Sequence, residues 1–199
     1  ITTTKFNSII KDQIKKQNSD LDIDLKKVKL HLNIKNFSIK IKTIDPIIIL
    51  NNLDSLKIKE ISSNILISSY FKNKFALKNI LIKSKNNKIS SYINFYRLYN
   101  NSIQLILINQ LISSGKGQIN IDLNFDENGE IKNDYNLSGK IFNTKLRLPG
   151  NKKINQLNLN FLIKDSYYKF DKIAFDFNKV KFKSKFLKFE KKNNNFFVK

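Results

Sequence analysis

From residue 117 to 148, hydrophobic and polar side chains alternate along the chain. Ile119, Ile121, Leu123 and Phe125 occupy every second position, so an extended chain projects all four from one face and Asn120, Asp122 and Asn124 from the other. Gly129 closes a turn over 126–129, where a residue without a Cβ takes the positive φ of a reversal. Ile131, Tyr135, Leu137, Gly139 and Ile141 then resume the alternation. The pattern predicts a hairpin with one apolar face, and variations of it recur through most of the chain.

Taken in order, Phe6, Ile9, Ile10 and Ile14 follow helical spacing and predict a helix over 4–17, capped by Thr3 or Thr4 and flanked by lysines. Residues 21–41 have a period of two, with phase slips read as a bulge at Lys26-Lys27 and a hairpin turn at Lys35-Asn36. Asp45-Pro46 breaks the pattern, and proline is expected to push Asp45 to extended geometry. A second hairpin is expected about a turn at 51–55, then a helical turn over 68–74 and a strand over 76–84. Ile89, Tyr92, Ile93 and Tyr96 share one helical face, predicting a helix over 88–99, and the apolar run 103–112 reads as a helix or buried connector. Pro149-Gly150 is a turn signal, and alternation returns at Leu157, Leu159, Phe161 and Ile163, at Ile173, Phe175 and Phe177, and at Val180 and Phe182, with a last turn at 193–195.

The expected fold is mainly β with a few short helices: a curved, mostly antiparallel open sheet forming an apolar groove. The chain reads as one segment over 1–199, with a helix over 1–18, a first strand set over 19–84, a helix and connector over 85–115, and a second strand set over 116–199. It contains no Met, and 196–199 is strand-like, so both ends read as cut from something longer. Without Cys, disulfides and thiolate metal sites are excluded. No apolar run reaches the roughly 18 residues of a spanning helix, so any membrane anchor or signal is expected to lie before Ile1.

A net charge of +21 raises nucleic acid as a partner. The only arginines are Arg97 and Arg147, however, and the lysines are spread along every strand rather than gathered in a patch. Lys, Asn and Ile are abundant together, as AT-rich codons would produce. The charge is therefore read first as composition and second as affinity for an acidic partner or anionic membrane surface, with no specific nucleic acid.

Catalytic and metal chemistry find little support. His31, the one histidine, has the parity of Lys29 and Asn33 and reads as a solvated strand residue, so His-activated Ser or Cys chemistry has no other base to draw on. Ser114-Gly115-Lys116-Gly117 lacks the leading Gly and the Ser or Thr of a phosphate loop and reads as a turn. Asp20, Asp22 and Asp24 lack calcium-loop spacing and read as a solvated acidic edge. Neither an enzyme activity nor a cofactor nor a metal is expected.

The areas carry a stronger argument. About ten strands at ~4.8 Å spacing make a sheet roughly 45 Å across. A helix of about twelve residues covers only about 18 Å by 10 Å of it. Two such helices leave most of the apolar face to a curled sheet, a second sheet or a guest molecule, because apolar patches beyond a few hundred Å² are uncommon on soluble chains. Acyl chains suit such a face, each buried CH₂ being worth ~0.8 kcal/mol without directional contacts. The expected lining residues are Ile119, Ile121, Leu123, Phe125, Leu137, Ile141, Leu157, Leu159, Phe161, Ile163, Ile173, Phe175, Phe177 and Phe182.

Phe6-Asn7-Ser8-Ile9-Ile10 followed by residues 21–42 resembles the segment after the amino-terminal membrane helix of the AsmA-like family, the relatives of TamB and YhdP. Leu107-Ile108-Asn109-Gln110-Leu111-Ile112 leading into Gly115-Lys116-Gly117-Gln118-Ile119 resembles that family's repeated strand-turn-strand pattern. So do Asp126-Glu127-Asn128-Gly129 and Tyr135-Asn136-Leu137-Ser138-Gly139-Lys140-Ile141. The resemblance implies a periplasmic β-groove tethered to the inner membrane, binding phospholipid acyl chains or moving phospholipid between inner and outer membranes in outer-membrane biogenesis. It also allows an envelope protein as partner. Two other functions compete: a structural or adaptor β-domain closing its apolar face on a protein, and electrostatic binding of nucleic acid or lipopolysaccharide.

Overall fold

A computed structural model describes residues 2–4, 7–51, 53–72, 76–192 and 195–198. Their elements run β1 (Thr2–Thr3), α1 (Asn7–Gln17), β2 (Leu21–Asp24), β3 (Lys27–Asn33), β4 (Ser38–Ile44), β5 (Ile47–Leu50), β6 (Asp54–Leu66), α2 (Ile67–Phe71), β7 (Leu77–Ser84), β8 (Asn87–Lys88), α3 (Ile89–Arg97), α4 (Ile103–Leu111), β9 (Ile112–Asn124), β10 (Asn136–Arg147), β11 (Lys153–Lys164), β12 (Tyr167–Phe177), β13 (Val180–Lys192) and β14 (Asn195–Val198). The fold is mainly β with four short helices among the described residues. Its strands form one mostly antiparallel open sheet in the order β1-β3-β4-β6-β7-β9-β10-β11-β12-β13-β14, with β5 on β6, β2 on β5 and β8 on β9. The chain divides into two compact units, Ile1–Lys85 with Asn120–Asn136, and Asn86–Ile119 with Leu137–Lys199.

In the first unit the predicted β3-β4 hairpin forms in the register Lys27↔Ile44 to Asn33↔Ser38. The slip at Lys26-Lys27 is not a bulge. The chain leaves β2, which pairs with β5, and enters β3, which pairs with β4. Two lysines with exposed side chains suit that crossing between pairings. Helix α1 docks on β2: Asn7 Nδ2 donates to the Leu25 carbonyl at 2.7 Å, and Lys11 and Lys15 reach Asp22 at 3.1 and 3.5 Å. Asp22 is thus ion-paired rather than part of a solvated edge, and Asp20 precedes the strand. Phe6 and the side chain of Ile9, half of the stripe expected for this helix, lie outside the described residues, as does most of the 193–195 turn.

Asp45 also departs from expectation. It is left-handed, with φ 54, although proline follows it. Two contacts hold it there: its amide donates to the Lys59 carbonyl at 3.0 Å, and its carboxylate meets Lys85 Nζ at 2.9 Å. A β-branched residue tolerates this conformation poorly. Asp45→Val should therefore lower the melting temperature by a few degrees, and Asp45→Gly, which keeps the φ freely, should lower it less. Equal melting temperatures for the two would contradict the conformational explanation.

In the second unit, Gly115 and Gly117 lie inside β9, so the predicted turn is a strand. Glycine is needed for space: a Cβ at Gly115 would fall on Thr144 Oγ1 and 2.9 Å from Ile89 of α3, and one at Gly117 would sit 3.3 Å from the Lys140 carbonyl. Tyr92 of α3 donates to the Gly117 carbonyl at 3.3 Å, fixing the helix against the strand. The apolar run after residue 103 forms helix α4 rather than a connector, and Asn109 Nδ2 ties it to Asn94 Oδ1 of α3 at 3.2 Å. In the part of the first unit that follows, after the Asp126–Gly129 reversal, Ile131 makes only an isolated bridge to Phe125, and regular pairing resumes at Asn136. Asp126 Oδ1 accepts from the Asn128 and Glu130 amides at 2.8 and 2.9 Å, and Asn133-Asp134 form a further turn in place of the expected alternation.

Candidate functional site

Directly paired residues of antiparallel strands share a face, so the registers decide which side chains lie together. In the first unit, Leu30↔Ile41↔Ser63↔Ile80↔Leu123 form one row across five strands. Val28↔Thr43↔Ile61↔Ile82↔Ile121 form the next. The rows on the other face are polar, as in His31↔Lys40↔Asn64↔Asn79↔Asn124. Ile121 and Leu123 therefore lie on an aliphatic face, as expected, and His31 on the exposed polar one.

The second unit repeats this with a complication. Gly139↔Phe161↔Phe170↔Leu187 and Leu137↔Ile163↔Tyr168↔Phe189 are two apolar rows. Each of β10, β11 and β12 then carries one extra residue, with Asn143, Gln156 and Lys172 left-handed at φ 52, 51 and 53. An extra residue inverts the parity of everything beyond it. Asn160↔Asp171 and Asn158↔Ala174 keep Asp171 and Ala174 on the polar face, which sends Ile173 and Phe175 to the apolar face with Leu157, Leu159 and Phe161. Phe177 pairs with Ile154 and Val180, and Phe175 stacks on Phe182 at 5.2 Å. Leu137, Ile141, Leu157, Leu159, Phe161, Ile163, Ile173, Phe175, Phe177 and Phe182 thus share one face of this unit. Ile119 lies two residues before Ile121 on β9, and Phe125 just past the end of that strand.

This face is not closed among the described residues. The buried hydrophobic side chains are Ile23, Leu25, Val28, Leu50, Leu56 and Ile58, all in the first unit. All but Val28 belong to the neighbourhood of β2, β5 and the start of β6. In the second unit the buried side chains are Ser91 of α3, Asn87 just before that helix and Thr144 beside it, while the Phe and Ile rows stay half-buried. Phe182 is 43% exposed.

On the polar faces, in contrast, several side chains pair with one another. Asn64 Nδ2 donates to Asn79 Oδ1 at 2.9 Å, Asn160 Nδ2 to Asp171 Oδ1 at 2.8 Å, and Lys188 pairs with Glu190 while lying over the Tyr167 ring. Lys42 meets Glu60 at 2.7 Å. The hydrogen bond from Lys42 holds the Glu60 carboxyl below its usual range against the opposing effect of burial, helped by the charges of Lys42, Lys83 and Lys40. Burial pushes Asp22 up, but the Lys11 hydrogen bond, the Ile23 amide and the charges of Lys11 and Lys15 outweigh it and leave the group lowered. A carboxyl with a depressed folded-state pKa stabilises the fold above its unfolded value, about 4, and loses that contribution as pH falls through the folded value. The melting temperature should therefore be flat from neutral pH to about 5 and fall below about 4, with Lys42→Ala reducing the drop. A rise on acidification would contradict this sign.

An open depression of about 620 Å³ lies where the apolar face of the second unit meets the Lys172 bulge. It is lined by Lys172, Ile173, Ala174, Lys183, Ser184 and Lys185. Nothing in the lysine spacing distinguished these three; the bulge brings Lys172 beside the β13 lysines. Comparison with models of known protein families, with curated proteins and with solved structures finds no match.

Proposed function

We propose that this chain is a non-enzymatic phospholipid-binding segment whose apolar strand faces hold acyl chains. The observation that carries the reading is the difference between the two sides of the strands. Several polar side chains pair with one another on one side, whereas on the other long rows of Ile, Leu and Phe remain half-exposed. Covering such rows with acyl methylenes gains ~0.8 kcal/mol per CH₂ and requires no directional contact. Lys172, Lys183 and Lys185, at the margin of the second unit's row, offer charge for a phosphate headgroup. The resemblance to the AsmA-like family extends the proposal to phospholipid transfer between inner and outer membranes by a protein tethered in the inner membrane and facing the periplasm.

Native mass spectrometry of the chain purified from a bacterial host tests the binding step. Release of phospholipid masses from the folded chain on collisional activation is the expected result. A folded chain that is lipid-free, or that carries a protein in place of lipid, would overturn the proposal, and the latter result would assign the face to an adaptor role.

A further inference from the structure

The helix pair α3-α4 carries apolar surface of a different kind from the strands. No residue of α4 is buried. Ile103, Leu107 and Ile108 are 72, 53 and 47% exposed, while Leu105 and Ile106, on its other side, are half-buried. The helix is thus apolar around most of its circumference, a composition that in a soluble protein belongs inside a core. At the joint between the helices, Tyr96 and Tyr99 are 55 and 77% exposed, and Arg97 Nε donates to Asn101 Oδ1 at 3.3 Å across the loop. We infer that the tip of this helix pair docks on an anionic lipid bilayer, with Ile103, Leu107 and Ile108 entering the acyl boundary and Tyr96 and Tyr99 at headgroup level.

Two observations select a bilayer over a protein. The first is charge. The stretch 86–119 contains Lys88, Arg97 and Lys116 and no Asp or Glu, so no carboxylate of its own opposes approach to lipid phosphates. The second is size. Nine residues at 1.5 Å rise and about 10 Å width give a footprint on the order of 150 Å², well short of the ~800 Å² per partner of a stable protein interface. Interfacial insertion has no such threshold, since it scales with the apolar area inserted and adds to electrostatic attraction, and tyrosine suits the headgroup zone with its apolar ring and polar tip. Among the described residues no helix is long and apolar enough to cross a membrane, so the contact is interfacial.

The inference is independent of the acyl-binding strand face. Its test uses the whole chain with vesicles of phosphatidylglycerol alone and of phosphatidylcholine alone. The triple variant Ile103→Gln, Leu107→Gln, Ile108→Gln should lose at least about ten-fold of the binding to phosphatidylglycerol vesicles. Leu53→Gln, at an exposed position of the first unit, should lose none. The natural chain contains no Trp, so Leu107→Trp gives a single reporter, whose emission should shift to the blue and be quenched by brominated acyl chains on phosphatidylglycerol but not on phosphatidylcholine vesicles. Unaltered vesicle binding by the triple variant, or a reporter that neither shifts nor quenches, would overturn the inference. So would a fall in sedimentation mass of the triple variant without vesicles, which would identify the helix as a seat for a second copy. Should the triple variant fail to fold, the reporter alone decides. A chain that carries no phospholipid in solution yet shows the reporter shift would separate this inference from the strand-face proposal.

Discussion

Gly139→Ala should destabilise the fold by about 3 kcal/mol, the upper part of the usual range for overpacking, and lower the melting temperature of the chain by roughly 6–12 °C. Gly139 stands in the row Gly139↔Phe161↔Phe170↔Leu187, with the Phe161 ring lying over it. A Cβ there would fall on the Gln118 carbonyl and 2.6 Å from Phe161 Cζ. The ring can turn aside, but the carbonyl is backbone held in β9, so the strands must separate or shift. Gly150→Ala provides the comparison, because Gly150 has φ 70 and no atom near its Cβ position, and only the left-handed backbone penalty of about 1 kcal/mol applies. If thermal melts placed Gly139→Ala at or above Gly150→Ala, the close approach at Gly139 would not be a constraint on the fold.

Phe182→Glu should reduce the phospholipid retained by the purified chain about ten-fold, the effect of placing a charge among acyl methylenes, whereas Phe186→Glu should leave it unchanged. The two residues are on the same strand, of the same type and similarly exposed, at 43 and 54%. They differ in what they pair with across β12. Phe182 pairs with Phe175 and stacks on it, while Phe186 pairs with Asp171, which in turn pairs with Asn160 on the polar side. Both rings are open to solvent, so neither substitution should cost much stability, and differential scanning fluorimetry checks that. Equal loss in both variants would mean that the apolar pairing of Phe182 has no role and that only the summed charge of β13 matters.

The strand pattern was legible in the sequence because one face is apolar and the other polar, and the period of two survives wherever strands are regular. Ile119 to Phe125 and Leu157 to Ile163 could be assigned on that basis alone. Legibility failed where the phase shifted. Tyr168 and Phe170 are out of step with Ile173, Phe175 and Phe177, so only the later half of β12 was read as a strand. The Lys172 bulge is what reconciles the two halves, and nothing about a lysine at that position advertises a left-handed backbone. The slip at Lys26-Lys27 looked the same in the sequence but marks a change of pairing partner, a non-local fact. Gly115 and Gly117 read as turn residues because glycine serves both positive φ and close packing; Gly115 has both, at φ 154 against Thr144 and Ile89, whereas Gly117 has the close packing alone, against the Lys140 carbonyl. The exposed α4 was recognised as apolar, but its lack of cover depends on what packs around it.

Photo-cross-linking compares the two positions directly. A benzophenone-bearing analogue of phenylalanine is placed at Phe182 in one preparation and at Phe186 in another, the chain is illuminated in the presence of bacterial membranes, and adducts are read by mass spectrometry. Phospholipid adducts are expected at position 182 and none above background at 186. Equal labelling at the two positions, or protein adducts alone at 182, would contradict the phospholipid-binding proposal.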